Sequence, residues 1–215
     1  MKLQCSALLF AAVSVFSSAA HTSLESRLNG QAVYDPTRNL TWLANANLLG
    51  QSSWTVAQEQ IVILNSQNYL GFNDWRLPTT PLQDPACSSS DGTNGFGCTG
   101  SEMGHLFYEE LGGSAGSSIL NVSNSQLTLF TDVQPGYYWS STLSPIFPGP
   151  FTFVFGSGAQ DASNNYDSPY YSWLVRSGDV NAVPVPASAL LFASGLLALG
   201  VRMTRKASVL GKGDT

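Results

Sequence analysis

Glu102 and His105 stand three residues apart, a spacing that places both side chains on one face of a helix and supplies two ligands for a metal ion. A metal site there needs further ligands from elsewhere in the chain, and a solvated helix-surface pair is the simpler reading. Ser140 and Ser141 are the obvious hydroxyl nucleophiles, but no elbow motif surrounds them, which argues against acyl transfer. A more open possibility is calcium. Asp161, Asn164, Asn165 and Asp167 crowd oxygen ligands into the loop DASNNYD, and Asp84 and Asp91 lie in or beside a second Gly/Ser-rich loop. The spacing is not that of an EF-hand, and acidic loops are commonly just solvated. Tyr166, Tyr170 and Tyr171 flank the first loop and could stack on sugar rings, with ordinary loop packing as the alternative.

That second loop, PACSSSDGTNGFGC, is bounded by Cys87 and Cys98. In an oxidising compartment such a pair reads as a disulfide. Closing a loop of about a dozen residues contributes on the order of 2 to 3 kcal/mol. A metal alternative lacks a second Cys or His at ligand spacing.

Export is written at the N-terminus. Residues 1–20 run from Lys2 through the apolar stretch Ala7 to Phe16 to the small residues Ser17 to Ala20, the order of a secretory signal peptide cleaved after Ala20. His21 then sits at the cleavage site, leaving His105 as the dependable imidazole. The C-terminal segment, residues 183–206, has an uncharged apolar run from Val183 to Val201, followed by Arg202, Arg205 and Lys206, and a short tail occupies residues 207–215. The run is at the short end for a membrane helix, and the basic cluster predicts a cytoplasmic C-terminus.

Between the signals, residues 21–182 suit one domain. Four arginines face thirteen acidic residues there, a difference of −9, and no lysine remains. Such a surface argues against nucleic acid, anionic lipid and sulfated polysaccharide as partners. Neutral glycans, cations and basic proteins stay open.

The elements that must hold these residues are short. Gln31 to Asp35 and Leu40 to Leu43, around the turn Pro36 to Asn39, predict a β-hairpin. Helical spacing from Thr55 to about Asn68 predicts the longer helix, with Thr55 and Gln58 as its capping box. Thr99 and Glu102 form a second such box before a shorter helix carrying Met103, Leu106, Phe107 and Leu111, stopped at Gly112 and Gly113. Tyr137 to Thr142, Phe151 to Phe155 and Ser172 to Arg176 read as strands. Strands at both ends with helices between them predict an α+β domain whose terminal strands pair. Trp42, Trp75, Trp139 and Trp173 read as core, and Arg76 and Arg176 as ion pairs with nearby Asp74 and Asp179.

Five motifs, DPTRNLTWL (Asp35 to Leu43), DWRLP (Asp74 to Pro78), SEMGHLF (Ser101 to Phe107), YWSST (Tyr138 to Thr142) and WLVRSGD (Trp173 to Asp179), resemble in order those of the Lcl C-terminal domain family. The resemblance implies a C-type-lectin-like single domain with two helices and short antiparallel strands, at home in bacterial surface proteins. The C-terminal segment resembles the PEP-CTERM sorting signal through Val183, Pro184, Pro186 and Ala187, although Val185 stands where the motif has Glu. That implies processing by an exosortase after signal peptidase, with anchoring in the inner membrane beforehand and release to the cell surface or matrix. The expected function is a non-catalytic binding module, for neutral polysaccharide. A structural matrix component acting through protein contacts is the rival, and a hydrolase the weakest reading.

Overall fold

The computed structural model describes residues 23–180 except residue 146. The signal peptide, the sorting segment with Val183, Pro184, Pro186 and Ala187, the basic residues Arg202, Arg205 and Lys206, and the tail lie outside the described residues. Among the described residues no helix is long and apolar enough to cross a membrane.

Strands β1 (Glu25–Arg27), β2 (Ala32–Asp35) and β3 (Leu40–Leu43) open the chain. The β2–β3 hairpin forms where the sequence predicts it, and Asp35 makes its turn: Oδ1 accepts from the backbone N–H groups of Thr37 and Arg38 at 2.9 and 3.1 Å. An Asx-type contact of this kind gives the turn backbone a local partner. Residues 51–52 form β4 and the helix α1 spans Trp54–Ser66. The short helix α2 spans Glu102–His105 and passes directly into a π turn, Leu106–Glu110. Strands β5 (Tyr137–Leu143), β6 (Pro150–Val154), β7 (Ala159–Ala162), β8 (Tyr170–Tyr171) and β9 (Val175–Ser177) complete the domain.

The strands form two sheets, ordered β1-β2-β3-β9 and β4-β8-β5-β6-β7. In the first, β9 returns antiparallel to β3, with Thr41 opposite Arg176, so the terminal strands do pair. In the second, β8 runs parallel to β5 through the single pair Tyr138 and Tyr171, while the other strand pairings are antiparallel, as expected. Strand β6 lies between β5 and β7. Phe151, Thr152 and Phe153 are therefore buried in succession instead of alternating with exposed residues.

Both helices begin at serines. Ser53 is the cap of α1, its Oγ accepting from Val56 N at 3.3 Å. Ser101 caps α2, accepting from Gly104 N at 3.0 Å. The boxes expected at Thr55 with Gln58 and at Thr99 with Glu102 are not used. Tertiary contacts set the starts: Trp54 N donates to Tyr166 O at 2.8 Å, its indole donates to Ser140 O at 2.8 Å, and Glu102 N donates to Thr79 O at 3.1 Å.

Aromatic residues supply nine of the twelve largest fully buried side chains. Trp42, Trp173, Phe107, Phe130, Phe153 and Phe155 fill one cluster. Trp75 and Trp139 join Leu43, Ala57, Ile61, Leu77 and Leu174 in another under α1. All four core tryptophans are at most 1% exposed, which places them in packing and removes them as ligand platforms.

The ion pairs exist with other partners than sequence proximity suggests. Arg76 forms a two-point pair with Glu102 at 2.8 Å for each bond, Arg176 pairs with Asp74 at 2.7 and 3.0 Å, and Asp179 pairs with Arg27 at 2.8 and 2.9 Å. The cause is the antiparallel bridge between Arg76 and Val175, which lays the DWRLP segment along β9 and brings Asp74 beside Arg176.

Candidate functional site

A shallow surface groove of about 270 Å³ opens over the second sheet, lined by Tyr137, Asp161, Asn164, Asn165, Ser168 and Tyr170 among others. Strand β5 supplies Tyr137, β7 supplies Asp161, and the loop to β8 supplies the amides and Ser168. The rings of Tyr137 and Tyr170 stack, with centroids 4.8 Å apart and planes 18° from parallel. A neighbouring depression of about 310 Å³ shares Tyr137 and Asp161 and continues to Asn94 and Gly95 of the cysteine loop. Gly95 pairs with Gln160 of β7, so the two loops border one continuous surface.

The tyrosines expected to act together separate here. Tyr170 lines the groove. Tyr166 packs edge-on against Trp54, and Tyr171 packs on Tyr138, their ring centroids 5.8 and 5.3 Å apart respectively. Tyr137 takes the place of these two, and its signal was in the sequence: it precedes buried Tyr138 in a strand, so its side chain must point to the other face.

Local hydrogen bonds occupy part of the proposed calcium loop. Asp161 Oδ1 accepts from Ala162 N at 2.8 Å, and Asn165 Oδ1 accepts from Asp167 N at 2.8 Å. Asp161 and Asp167 belong to neither of the groups of three or more His, Cys, Asp or Glu ligand atoms that converge among the described residues. Asp84 and Asp91 serve as turn anchors: Asp84 Oδ2 accepts from Gly100 N at 2.6 Å, and Asp91 Oδ1 accepts from Ser89 Oγ at 2.7 Å. Cys87 and Cys98 are joined as a disulfide, which excludes their thiolates as metal ligands.

The chemistry concentrated in the interior lies elsewhere. His105 Nε2 sits 3.1 Å from Glu110 Oε1 and 3.5 Å from Asp35 Oδ2, and all three residues are buried. Burial opposes charge on the imidazole, as does the Arg38 cation, but the contacts to Asp35 and Glu110 outweigh them and push His105 up to about 9. Glu102 and His105 do not act as the pair their spacing suggests, because the Glu102 carboxylate is taken by Arg76 and by Thr79 N at 2.8 Å. An α-helix would set Glu109, four residues on, beside His105. The π turn widens the coil, leaves Glu109 exposed and swings Glu110 inward, which helical spacing does not foretell.

Among the described residues, two sheets, two helices, one disulfide and a groove at the surface define a small disulfide-bonded α+β domain. The chain belongs to the Lcl C-terminal domain family, whose model matches residues 31–176. No curated protein and no solved structure matches it. The matched span begins just before β2 and ends within β9, so it coincides with the unit that the β2–β3–β9 pairing closes.

Proposed function

We propose that this domain is a non-catalytic binding module of the bacterial cell surface or extracellular matrix that contacts neutral polysaccharide through the Tyr137 and Tyr170 groove. The observation that carries the reading is the stacked tyrosine pair beside amide, hydroxyl and carboxylate groups. Sugar rings present apolar faces for aromatic stacking and hydroxyls for such polar groups. The family is associated with extracellular and surface proteins. The disulfide suits that setting, and the acidic, lysine-free composition favours an uncharged glycan. On the same reading the fold is C-type-lectin-like, signal peptidase and an exosortase process the two ends, and the anchored precursor reaches the surface or matrix.

Binding of the full chain to an array of neutral glycans is the test. Tyr137→Ala, at a side chain left 41% exposed, should abolish retention while leaving the melting temperature nearly unchanged. The rival is a structural matrix component, favoured by Val62 and Ile63, which α1 leaves 68% and 57% exposed. Silence on every neutral glycan, with self-association that rises with concentration in sedimentation, would replace the binding reading with that one.

A further inference from the structure

We propose that Asp35, His105 and Glu110 form a binding site for a first-row divalent metal ion, with zinc as the expected occupant, in the seam between β2 and the π turn. The site is separate from the polysaccharide groove and does not depend on it. One ligand atom from each of the three residues lies within 4.8 Å of the other two. At metal–ligand bonds of about 2.1 Å, the two measured separations from Nε2 correspond to ligand–metal–ligand angles of about 95° and about 113°, within the range of tetrahedral and five-coordinate zinc. The donor set, one imidazole nitrogen and two carboxylates, fits zinc or manganese better than calcium, which takes oxygen alone.

A second observation is independent of the clustering. Asp35 is fully buried; its Oδ1 is used by the turn, but its Oδ2 has no hydrogen-bond partner and faces His105 Nε2. An orphaned buried carboxylate oxygen is costly, and native proteins leave few of them. The imidazole does not resolve it, because Nε2 carries a single N–H and Glu110 lies closer. Metal binding would release the Nε2 proton to solvent, and a cation on the freed lone pair would serve both carboxylates at once. Arg38, the charged neighbour on the same hairpin, is engaged at 2.6 and 3.4 Å by the carbonyls of Thr99 and Gly100, so it is not the missing partner. The π turn that delivers Glu110 is a device frequently found at functional sites.

The test strips the full chain with a chelator, dialyses it, and titrates zinc and then manganese chloride while following heat and melting temperature. Binding at one ion per chain with a raised melting temperature is expected, and Glu110→Gln or Asp35→Asn should weaken it at least tenfold. Glu109→Gln, at the exposed carboxylate beside Glu110, should bind as the unaltered chain does. No heat and no melting shift with either ion would overturn the proposal, and so would undiminished binding by the Glu110 and Asp35 variants. Should those variants fail to fold, X-ray absorption at the zinc edge of the loaded, unaltered chain still decides. One imidazole with oxygen ligands supports the site; sulfur ligation or the absence of imidazole refutes it.

Discussion

Arg76 and Arg176 each hold one carboxylate through two hydrogen bonds, and they differ in how exposed that partner is. Glu102 keeps 12% of its side chain exposed and accepts both bonds from Arg76, whereas Asp74 is 49% exposed beside Arg176. Removing a cation from a largely buried carboxylate strands a charge, while an exposed pair is worth little. Arg76→Met should therefore destabilise by roughly 1 to 3 kcal/mol, and Asp74→Asn by less than about 1 kcal/mol, in urea melts. Equal losses would show that the Glu102 pair is as solvent-screened as the Asp74 pair. The sequence made the chemistry of these arginines legible, since ion pairing follows from their scarcity in an acidic chain. Their partners were not legible, because partner choice depends on which strands lie side by side.

At the scale of elements, the interior of each helix could be read, as could the stop at Gly112, whose φ of +68° ends the second helical segment, but the starts could not. Met103, Leu106, Phe107 and Leu111 are buried as their spacing requires, and Ala57 and Ile61 form the buried face of α1. The capping motifs at Thr55 and Thr99 matched a local pattern, but contacts from distant segments to Trp54 and Glu102 fixed the starts at neighbouring serines. Ser53→Ala should cost about 0.5 to 2 kcal/mol, the ordinary worth of an N-cap, and Thr55→Ala less than about 0.5 kcal/mol. Reversed effects in thermal or urea melts would restore Thr55 as the cap. The π turn was equally hidden: its five-residue hydrogen bond from Leu111 N to Leu106 O, at 2.9 Å, has no propensity signature, yet it decides that Glu110 and not Glu109 meets His105.

For the whole molecule, the closure of the first sheet was foreseeable from strands at both ends, whereas β4 and β8, two residues each, carry too little pattern to detect. This division has a mechanical consequence. The disulfide staples a loop that touches the second sheet through Gly95 and Gln160, whose N–H groups each donate to the other's carbonyl at 2.8 Å, and Gln160 Nε2 reaches Thr93 O at 3.0 Å. The first sheet is held instead by β3 and β9. Replacing Cys87 and Cys98 by serine should cost about 2 to 3 kcal/mol of global stability. It should also free the edge at β7 before the rest of the domain opens, since cooperative units open at different free energies. Hydrogen exchange is expected to accelerate at Gly95 and Gln160 while the amides of Trp42 and Val175 keep their protection. Uniform acceleration across both sheets would mean that the staple stabilises the domain only as a whole, and that the groove owes it no local rigidity.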